Sequence, residues 1–203
     1  MRIILDPPAD PERNMAADEE LIRRVREGVS PPALRIYRWD RRAISIGRRQ
    51  RLEELPDALR ESGLPVVRRP TGGGAVVHSE EELTYALALP APARARDLPR
   101  VIHRSLRELL VEEGILSRED LTVARSGFEG PFTLCFEAPV SGDLLFCGRK
   151  VGGAALRVWK DGALVQGSVQ GLPVEEAVLR EALIHAVREL FLADVAAEER
   201  VVS

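Results

Sequence analysis

The segment Arg68-Arg69-Pro70-Thr71-Gly72-Gly73-Gly74-Ala75-Val76-Val77-His78 places three consecutive glycines between two arginines and a short apolar run. Glycine permits positive φ and lets a ligand approach the backbone closely. Free N–H groups in such a loop can bind a carboxylate, a phosphate or a thioester carbonyl, and either arginine could add a charge-assisted hydrogen bond. The spacing matches neither a Walker loop nor a dinucleotide-binding fingerprint. Composition alone leaves two interpretations, a ligand-binding wall and a flexible hairpin turn.

A second constellation, GRKVGGAA at residues 148–155, places Lys150 just before a run of small residues. Small residues leave room for a ligand against the backbone. A partly buried lysine can stabilise an oxyanion or polarise a carbonyl. The commoner alternative is a surface lysine beside a turn, and the spacing alone does not decide between them.

The two cysteines, Cys135 and Cys147, have neither metal-site nor disulfide spacing. Cys135 is either a small core residue or a nucleophile, and the second requires a nearby cation that lowers the pKa of its thiol. Lys150 or an arginine of the first loop could supply that cation. Cys147 follows the apolar run 144–146, where packing is the better explanation.

The three histidines and the scattered carboxylates show no metal-site spacing, so we expect no metal. His78 could orient a ligand or simply end a strand. His103 and His185 fall within helical patterns, and we expect both at the surface or its boundary.

Bulk properties favour a single domain over residues 1–203, since 45% of the 203 residues are apolar. The net charge of −3, from 29 basic and 32 acidic residues, leaves no nucleic-acid footprint, although arginine clusters could meet an acidic partner. No run is long enough to span a membrane, and residues 1–5 are too short for a signal-peptide core. We expect a cytoplasmic protein with no membrane partner, and a monomer.

Hydrophobic periodicity predicts helices and strands in separate groups. Predicted helices cover 14–27, 52–61, 101–113 and 174–192, and 90–99 is a proline- and alanine-rich connector. Predicted strands cover 34–39, 43–47, 83–89, 144–146, 154–159 and 163–169, with another starting at 66–67. Residues 40–42 could turn a hairpin between the first two. The grouping predicts an α+β fold with a mixed, largely antiparallel sheet and flanking helices.

Four segments together resemble the family of lipoate–protein ligases, octanoyltransferases and biotin ligases. Residues 68–78 followed by ELTY at 82–85 are similar to the RRxTGGG-A-V-x-H…LTY block of that family. Residues 148–155 are similar to its GRKxxGxAQ block, NMAADE at 14–19 to the start of its first helix, and 34–47 to the strands that follow. The order is that of the family, from roughly residue 10 to 170.

The resemblance implies a catalytic domain of the biotin/lipoate ligase type, with a tunnel for an octanoyl or lipoyl chain. Lys150 matches the motif lysine that contacts the acyl carbonyl. Cys135, in CFEAP, resembles the cysteine of octanoyltransferases that takes the acyl group as a thioester. The implied catalytic residues are therefore Cys135 and Lys150. The expected substrate-binding residues are Arg69, Thr71, Gly72, Gly73, Gly74, His78, Tyr85, Gly153, Ala154 and Gln166.

The implied reaction moves an octanoyl group from acyl carrier protein to Cys135, and then to a lysine of a lipoyl-domain protein such as glycine cleavage H protein or an E2 subunit. It needs neither ATP nor a metal. One alternative is an ATP-dependent lipoate–protein ligase, which would use ATP and Mg. Another is a degenerate member that binds lipoylated protein without catalysis. That alternative is motivated by Gln166, where the family has a histidine in LxHGS, and by Leu156, where it has the glutamine of AQ.

Overall fold

The computed structural model of the chain describes residues 1–90, 95–126 and 139–199, with side chains as far as residue 191. Cys135 therefore lies outside the described residues. The helices are α1 (Pro11–Arg26), α2 (Asp57–Arg60), α3 (Leu98–Glu112) and α4 (Glu176–Glu199). The strands are β1 (Arg2–Leu5), β2 (Ala33–Tyr37), β3 (Ala43–Ile46), β4 (Val66–Arg68), β5 (Val76–His78), β6 (Leu83–Leu89), β7 (Leu121–Val123), β8 (Leu144–Phe146), β9 (Arg149–Trp159) and β10 (Gly162–Val169).

The main sheet has seven strands in the order β1-β2-β6-β10-β9-β8-β7. Among the described strands of this sheet, β1 and β2 pair in parallel and the other neighbouring strands pair antiparallel. The prediction of an α+β fold with a mixed, largely antiparallel sheet is confirmed. Two predicted strands, 83–89 and 144–146, have the predicted ends.

A second sheet of three strands, in the order β4-β3-β5, lies apart from the first. The predicted hairpin through residues 40–42 is therefore wrong, because β2 and β3 belong to different sheets. The segment between β2 and β3 contains Trp39, which is buried. Its indole N–H donates to Oγ1 of Thr84, a residue of β6, at 2.9 Å. Burial of that ring anchors the crossing from one sheet to the other.

Helices α1 and α3 start earlier than their periodicity predicts, and each has a proline in its first turn. α1 begins at Pro11 because the Asp10 carboxylate accepts a hydrogen bond from the Arg13 N–H at 2.9 Å, and proline is tolerated in a first turn. α3 begins at Leu98 with Pro99 in its first turn, so the predicted connector ends sooner. No helix within the described ranges is long and apolar enough to cross a membrane.

The two faces of the main sheet bury different cores. One face packs on α3 and α4, where Tyr85, Leu106 and Leu183 are fully buried. The opposite face packs on α1 through Met15 and Ile22. Alternating residues of β6 and β10 thus point to opposite sides, and the side that faces α1 and the second sheet contains the cavity described next.

Candidate functional site

A cavity of about 310 Å³ lies between the main sheet and the second sheet. Its size is at the low end of the roughly 300–1,000 Å³ typical of small-ligand pockets. The glycine loop 72–74 forms one wall, and the small residues 153–155 of β9 form another. The remaining wall residues are Met15, Tyr37, Trp39, Ser45, Arg69, His78, Thr84, Val140, Asp143, Lys150, Leu156, Gln166, Gly167 and Ser168.

Arg69 holds the glycine loop in shape. Its guanidinium donates to the Gly72 carbonyl at 2.6 Å, the Gly74 carbonyl at 2.7 Å and the Ser45 carbonyl at 3.0 Å. Gly73 adopts a φ of 87°. The loop also packs closely on Gly47, because a Cβ on Gly47 would lie 2.0 Å from the Gly73 oxygen. The segment therefore forms a wall of the cavity, and its binding of a ligand stays a prediction.

Lys150 extends into the cavity from the start of β9 and is buried, with 4% of its side chain exposed. Its Nζ lies 2.7 Å from Asp143 Oδ2, and the same oxygen accepts the Val140 N–H at 2.6 Å. Gly153 makes room for this lysine, because a Cβ there would lie 2.9 Å from Lys150 Cε. The commoner alternative of a surface lysine is wrong here.

His78 sits at the centre of a buried hydrogen-bonded chain. Its Nδ1 lies 2.5 Å from Glu82 Oε1, and its Nε2 lies 2.7 Å from Ser45 Oγ. The imidazole stacks on Trp39 with ring centroids 4.0 Å apart. His78 therefore has a fixed ring and a fixed set of partners at the cavity wall.

Gln166 links the glycine loop to a buried carboxylate. Its Oε1 accepts from Thr71 Oγ1 at 2.7 Å, and its Nε2 donates to Asp18 Oδ2 at 2.7 Å. Asp18 also accepts from Arg35 Nη1 at 2.7 Å and Tyr37 Oη at 2.8 Å. Burial raises the pKa of Asp18, and Arg35 together with these hydrogen bonds opposes that rise.

The structure thus brings most of the predicted substrate-binding residues to one cavity. Gly153 and Ala154 line it directly, while Thr71 reaches it through Gln166. Tyr85 lies on the other face of the sheet, where its ring packs under Gly167. The predicted proximity of Cys135 to Lys150 falls outside the described residues and stays a prediction.

Two expectations outside the cavity are wrong. His103 is fully buried: its Nδ1 lies 2.7 Å from the Gly142 carbonyl and its Nε2 3.3 Å from Tyr85 Oη, and burial lowers the pKa of the imidazole. Cys147 is exposed in a turn with a φ of 48°, so it is not a packed strand residue. His185 is at the surface as expected.

Sequence reasoning missed the carboxylates that organise the cavity, Asp18, Glu82 and Asp143. Asp18 carried a usable signal, because it shares the predicted buried helix face with Met15 and Ile22. A buried acid requires partners, which marks such a position for attention. Asp143 and Glu82 carried no such signal, since both fall in polar segments. Across the described ranges, no group of three or more His, Cys, Asp or Glu side chains is placed to bind a metal ion.

Comparison with known proteins identifies the family. A family model described as the lipoyl protein ligase A/B catalytic domain matches residues 10–187. The chain belongs to this family. It is 38% identical over 183 residues to a protein named octanoyltransferase LipM from Exiguobacterium, covering 83% of this chain and 64% of that relative. The chain therefore spans a little less than two thirds of that relative's length.

Solved structures support the same fold. The chain is similar to a lipoate-protein ligase A bound with ATP, with a TM-score of 0.71 and 23% identity over 93% of this chain and 84% of that one. It is also similar to a bi-partite lipoate protein ligase from Thermoplasma acidophilum, described with its E2 lipoyl domain, with a TM-score of 0.64 and 21% identity over 93% and 82% of the two chains. The predicted fold and family are both confirmed.

Proposed function

We propose that this chain is an acyltransferase that moves an octanoyl (or lipoyl) group from acyl carrier protein, through a thioester on Cys135, to a lysine of a lipoyl-domain protein. The observation that carries the proposal is the buried Lys150 ammonium in a cavity walled by the glycine loop, in a family member whose Exiguobacterium relative is named an octanoyltransferase.

The first transfer is the attack of the Cys135 thiolate on the carbonyl carbon of the donor thioester. A new S–C bond forms at Cys135, the C–S bond to the carrier breaks, and the carrier leaves as its thiolate. Lys150 and N–H groups of the glycine loop stabilise the oxyanion that develops, and each well-placed donor contributes about 3 kcal/mol. Asp143 holds the Lys150 ammonium in place through the 2.7 Å contact.

The second transfer regenerates the enzyme. The neutral amine of the acceptor lysine attacks the acyl-Cys135 carbonyl, the N–C bond of an amide forms and the C–S bond breaks. The Cys135 thiolate leaves, and the proton lost by the amine passes to solvent. Neither step needs ATP or a metal. We propose glycine cleavage H protein or an E2 lipoyl domain as the acceptor, a monomer as the working form and the cytoplasm as the compartment. The E2 lipoyl domain described with the Thermoplasma ligase supports this class of acceptor.

Intact mass after incubation with octanoyl acyl carrier protein tests the proposal. We expect one octanoyl adduct that neutral hydroxylamine releases, and this hydroxylamine-labile adduct should be absent in Cys135→Ala. Lys150→Ala should slow octanoyl transfer to a lipoyl domain by roughly 100- to 1,000-fold. Lys160, the other lysine of the chain, is exposed beside a turn, so Lys160→Ala is the matched control. An adduct that survives in Cys135→Ala, with no adduct mapped to Cys135, would sink the proposed thioester.

The structural neighbours also favour a second candidate, an ATP-dependent lipoate–protein ligase. Lipoate-dependent exchange between ATP and pyrophosphate would support the ligase, and its absence at saturating substrate would exclude it. A degenerate, non-catalytic member remains the third candidate because Gln166 cannot titrate. Turnover that depends on Lys150 would exclude that one.

A further inference from the structure

Ser45, His78 and Glu82 form a hydrogen-bonded chain that starts at the cavity wall. Ser45 Oγ lies 2.7 Å from His78 Nε2, and His78 Nδ1 lies 2.5 Å from Glu82 Oε1. Ser45 and His78 both line the cavity that we assign to the acyl group. A serine bonded to an imidazole that is itself bonded to a carboxylate is the arrangement that activates a hydroxyl for acyl transfer.

The hydrogen-bond partners of Glu82 determine which groups donate and which accept between Ser45, His78 and Glu82. The carboxylate accepts hydrogen bonds from Thr84 Oγ1 at 2.8 Å, Ser168 Oγ at 3.0 Å and Gln170 Nε2 at 2.5 Å. All of these partners donate, so both oxygens of the Glu82 side chain act as acceptors. The remaining contact therefore places the proton of His78 on Nδ1, and Nε2 is left as the acceptor for the Ser45 hydroxyl.

Two further contacts hold the nucleophile and the base in this geometry. The Trp39 indole stacks on the His78 ring with an interplanar angle of 17°, and its N–H is tied to Thr84. Arg69 Nη1 lies 3.1 Å from Ser45 Oγ, so a guanidinium is placed to stabilise negative charge on that oxygen.

The backbone pairing of β3 with its neighbouring strands does not depend on the Ser45 hydroxyl. β3 is the central strand of the second sheet, and Ser45 pairs with Val67 on one side and Val76 on the other. Its neighbours Ile44 and Ile46 point into an apolar core. The side chain of Ser45 therefore projects from a rigid position into the cavity, on the face opposite to that core.

We propose that Ser45 is a second acyl acceptor, which gives this cavity an acyl-serine and thioester hydrolase activity that does not require Cys135. The proposal shares with the proposed function only the assumption that an octanoyl thioester enters the cavity.

The chemistry balances with water as the second reactant. The Ser45 hydroxyl gives its proton to His78 Nε2 while Oγ attacks the thioester carbonyl. The O–C bond forms, the C–S bond breaks, and the leaving thiolate takes the proton from His78. Water then attacks the acyl-Ser45 ester with His78 as the base, and octanoate leaves as the Ser45 hydroxyl is restored.

The test uses a cysteine-free protein, Cys135→Ala/Cys147→Ser, because Cys147 is exposed and could exchange with a thioester. The probe is octanoyl-N-acetylcysteamine. Trypsin cleavage after Arg42 and Arg48 isolates the peptide 43–48, in which Ser45 is the one hydroxyl-bearing residue. We expect an octanoyl group on that peptide that resists neutral hydroxylamine, or octanoate release at least 10-fold above the rate of the same protein carrying Ser45→Ala.

Ser45→Cys in the cysteine-free protein separates a nucleophile from a structural hydroxyl. We expect the same peptide to carry the octanoyl group, now as a thioester that neutral hydroxylamine removes. If peptide 43–48 stays unmodified with both serine and cysteine at position 45, and octanoate release does not depend on Ser45, the proposal is overturned. A Cys135 adduct in the unsubstituted protein would still support the proposed transferase, so the two failures are distinguishable.

Discussion

Replacing Asp143 by asparagine removes one charge of the buried pair with Lys150 and keeps its shape. The two side chains are each 4% exposed, and Nζ lies 2.7 Å from Oδ2. At an effective dielectric constant near 20, the gross attraction at that distance is about 6 kcal/mol. Much of this is offset by desolvation, and breaking one side of a buried pair commonly costs about 3–5 kcal/mol. Because the asparagine oxygen can still accept the Val140 N–H, we expect the low end, about 3 kcal/mol.

Urea unfolding of a double-mutant cycle measures this energy. The free energies of unfolding of Asp143→Asn, Lys150→Met and the double variant are compared with that of the unsubstituted protein. The double variant holds no unpaired charge at this contact, so its loss should be smaller than the sum of the single losses by about 2–3 kcal/mol. If the single losses add to within about 0.5 kcal/mol, the two groups do not interact, and Asp143 cannot be what places the Lys150 ammonium.

Three further changes test other parts of the structure. Gln166→Leu removes one buried hydrogen bond from Thr71 Oγ1 and one from Asp18 Oδ2. We expect urea unfolding to show a decrease of about 2–3 kcal/mol in the free energy of unfolding. A decrease under about 1 kcal/mol would contradict a stabilising role for these two hydrogen bonds. Gly167→Ala places a Cβ 2.2 Å from Tyr85 Cζ, so we expect thermal unfolding to show a decrease of about 1–3 kcal/mol in the free energy of unfolding. The same substitution should lower the free energy of unfolding by less in a Tyr85→Ala protein. Equal decreases in the two proteins would argue against the clash. Burial lowers the pKa of His103 in the folded protein, so below pH ~6.5 the unfolded chain binds a proton that the folded chain does not. The free energy of unfolding should therefore decrease as the pH falls, by at most about 1.4 kcal/mol per pH unit. His103→Gln should make this decrease smaller, and an unchanged pH profile would show that His103 is not its source.

Much of the fold followed from patterns that are local in the chain. β6 was predictable because a mostly apolar run of this length, bounded by polar residues and a proline, is typical of a buried strand. The link between β2 and β3 was mispredicted because three polar residues suit a hairpin turn as well as a crossing to another sheet. The pairing of β3 with β4 and β5 and the burial of Trp39 against β6 decide between them, and these contacts join residues far apart in sequence.

The candidate site was likewise predictable only in part from the sequence. The glycine loop and Lys150 were found because motifs record where a backbone must approach a ligand. Their partners were not, since Asp143 and Glu82 acquire meaning only when folding places them beside Lys150 and His78. Gln166 was noticed as a departure from the family pattern, but its bond to Asp18 requires α1 and β10 to meet. Long-range pairing of buried polar groups is the information that periodicity does not contain.

The three carbonyls bound by Arg69 bear on the thermodynamics of ligand binding. Because the guanidinium already joins the Gly72 and Gly74 oxygens of the loop to the Ser45 oxygen of β3, the loop does not have to become ordered on binding of the proposed acyl group. Ordering a mobile segment on binding opposes affinity through conformational entropy, and a preorganised wall avoids that term. Lysine cannot replace this arginine, since a single ammonium has no planar fork to span three acceptors. Arg69→Lys should thus weaken binding of the proposed acyl group through a less favourable entropy.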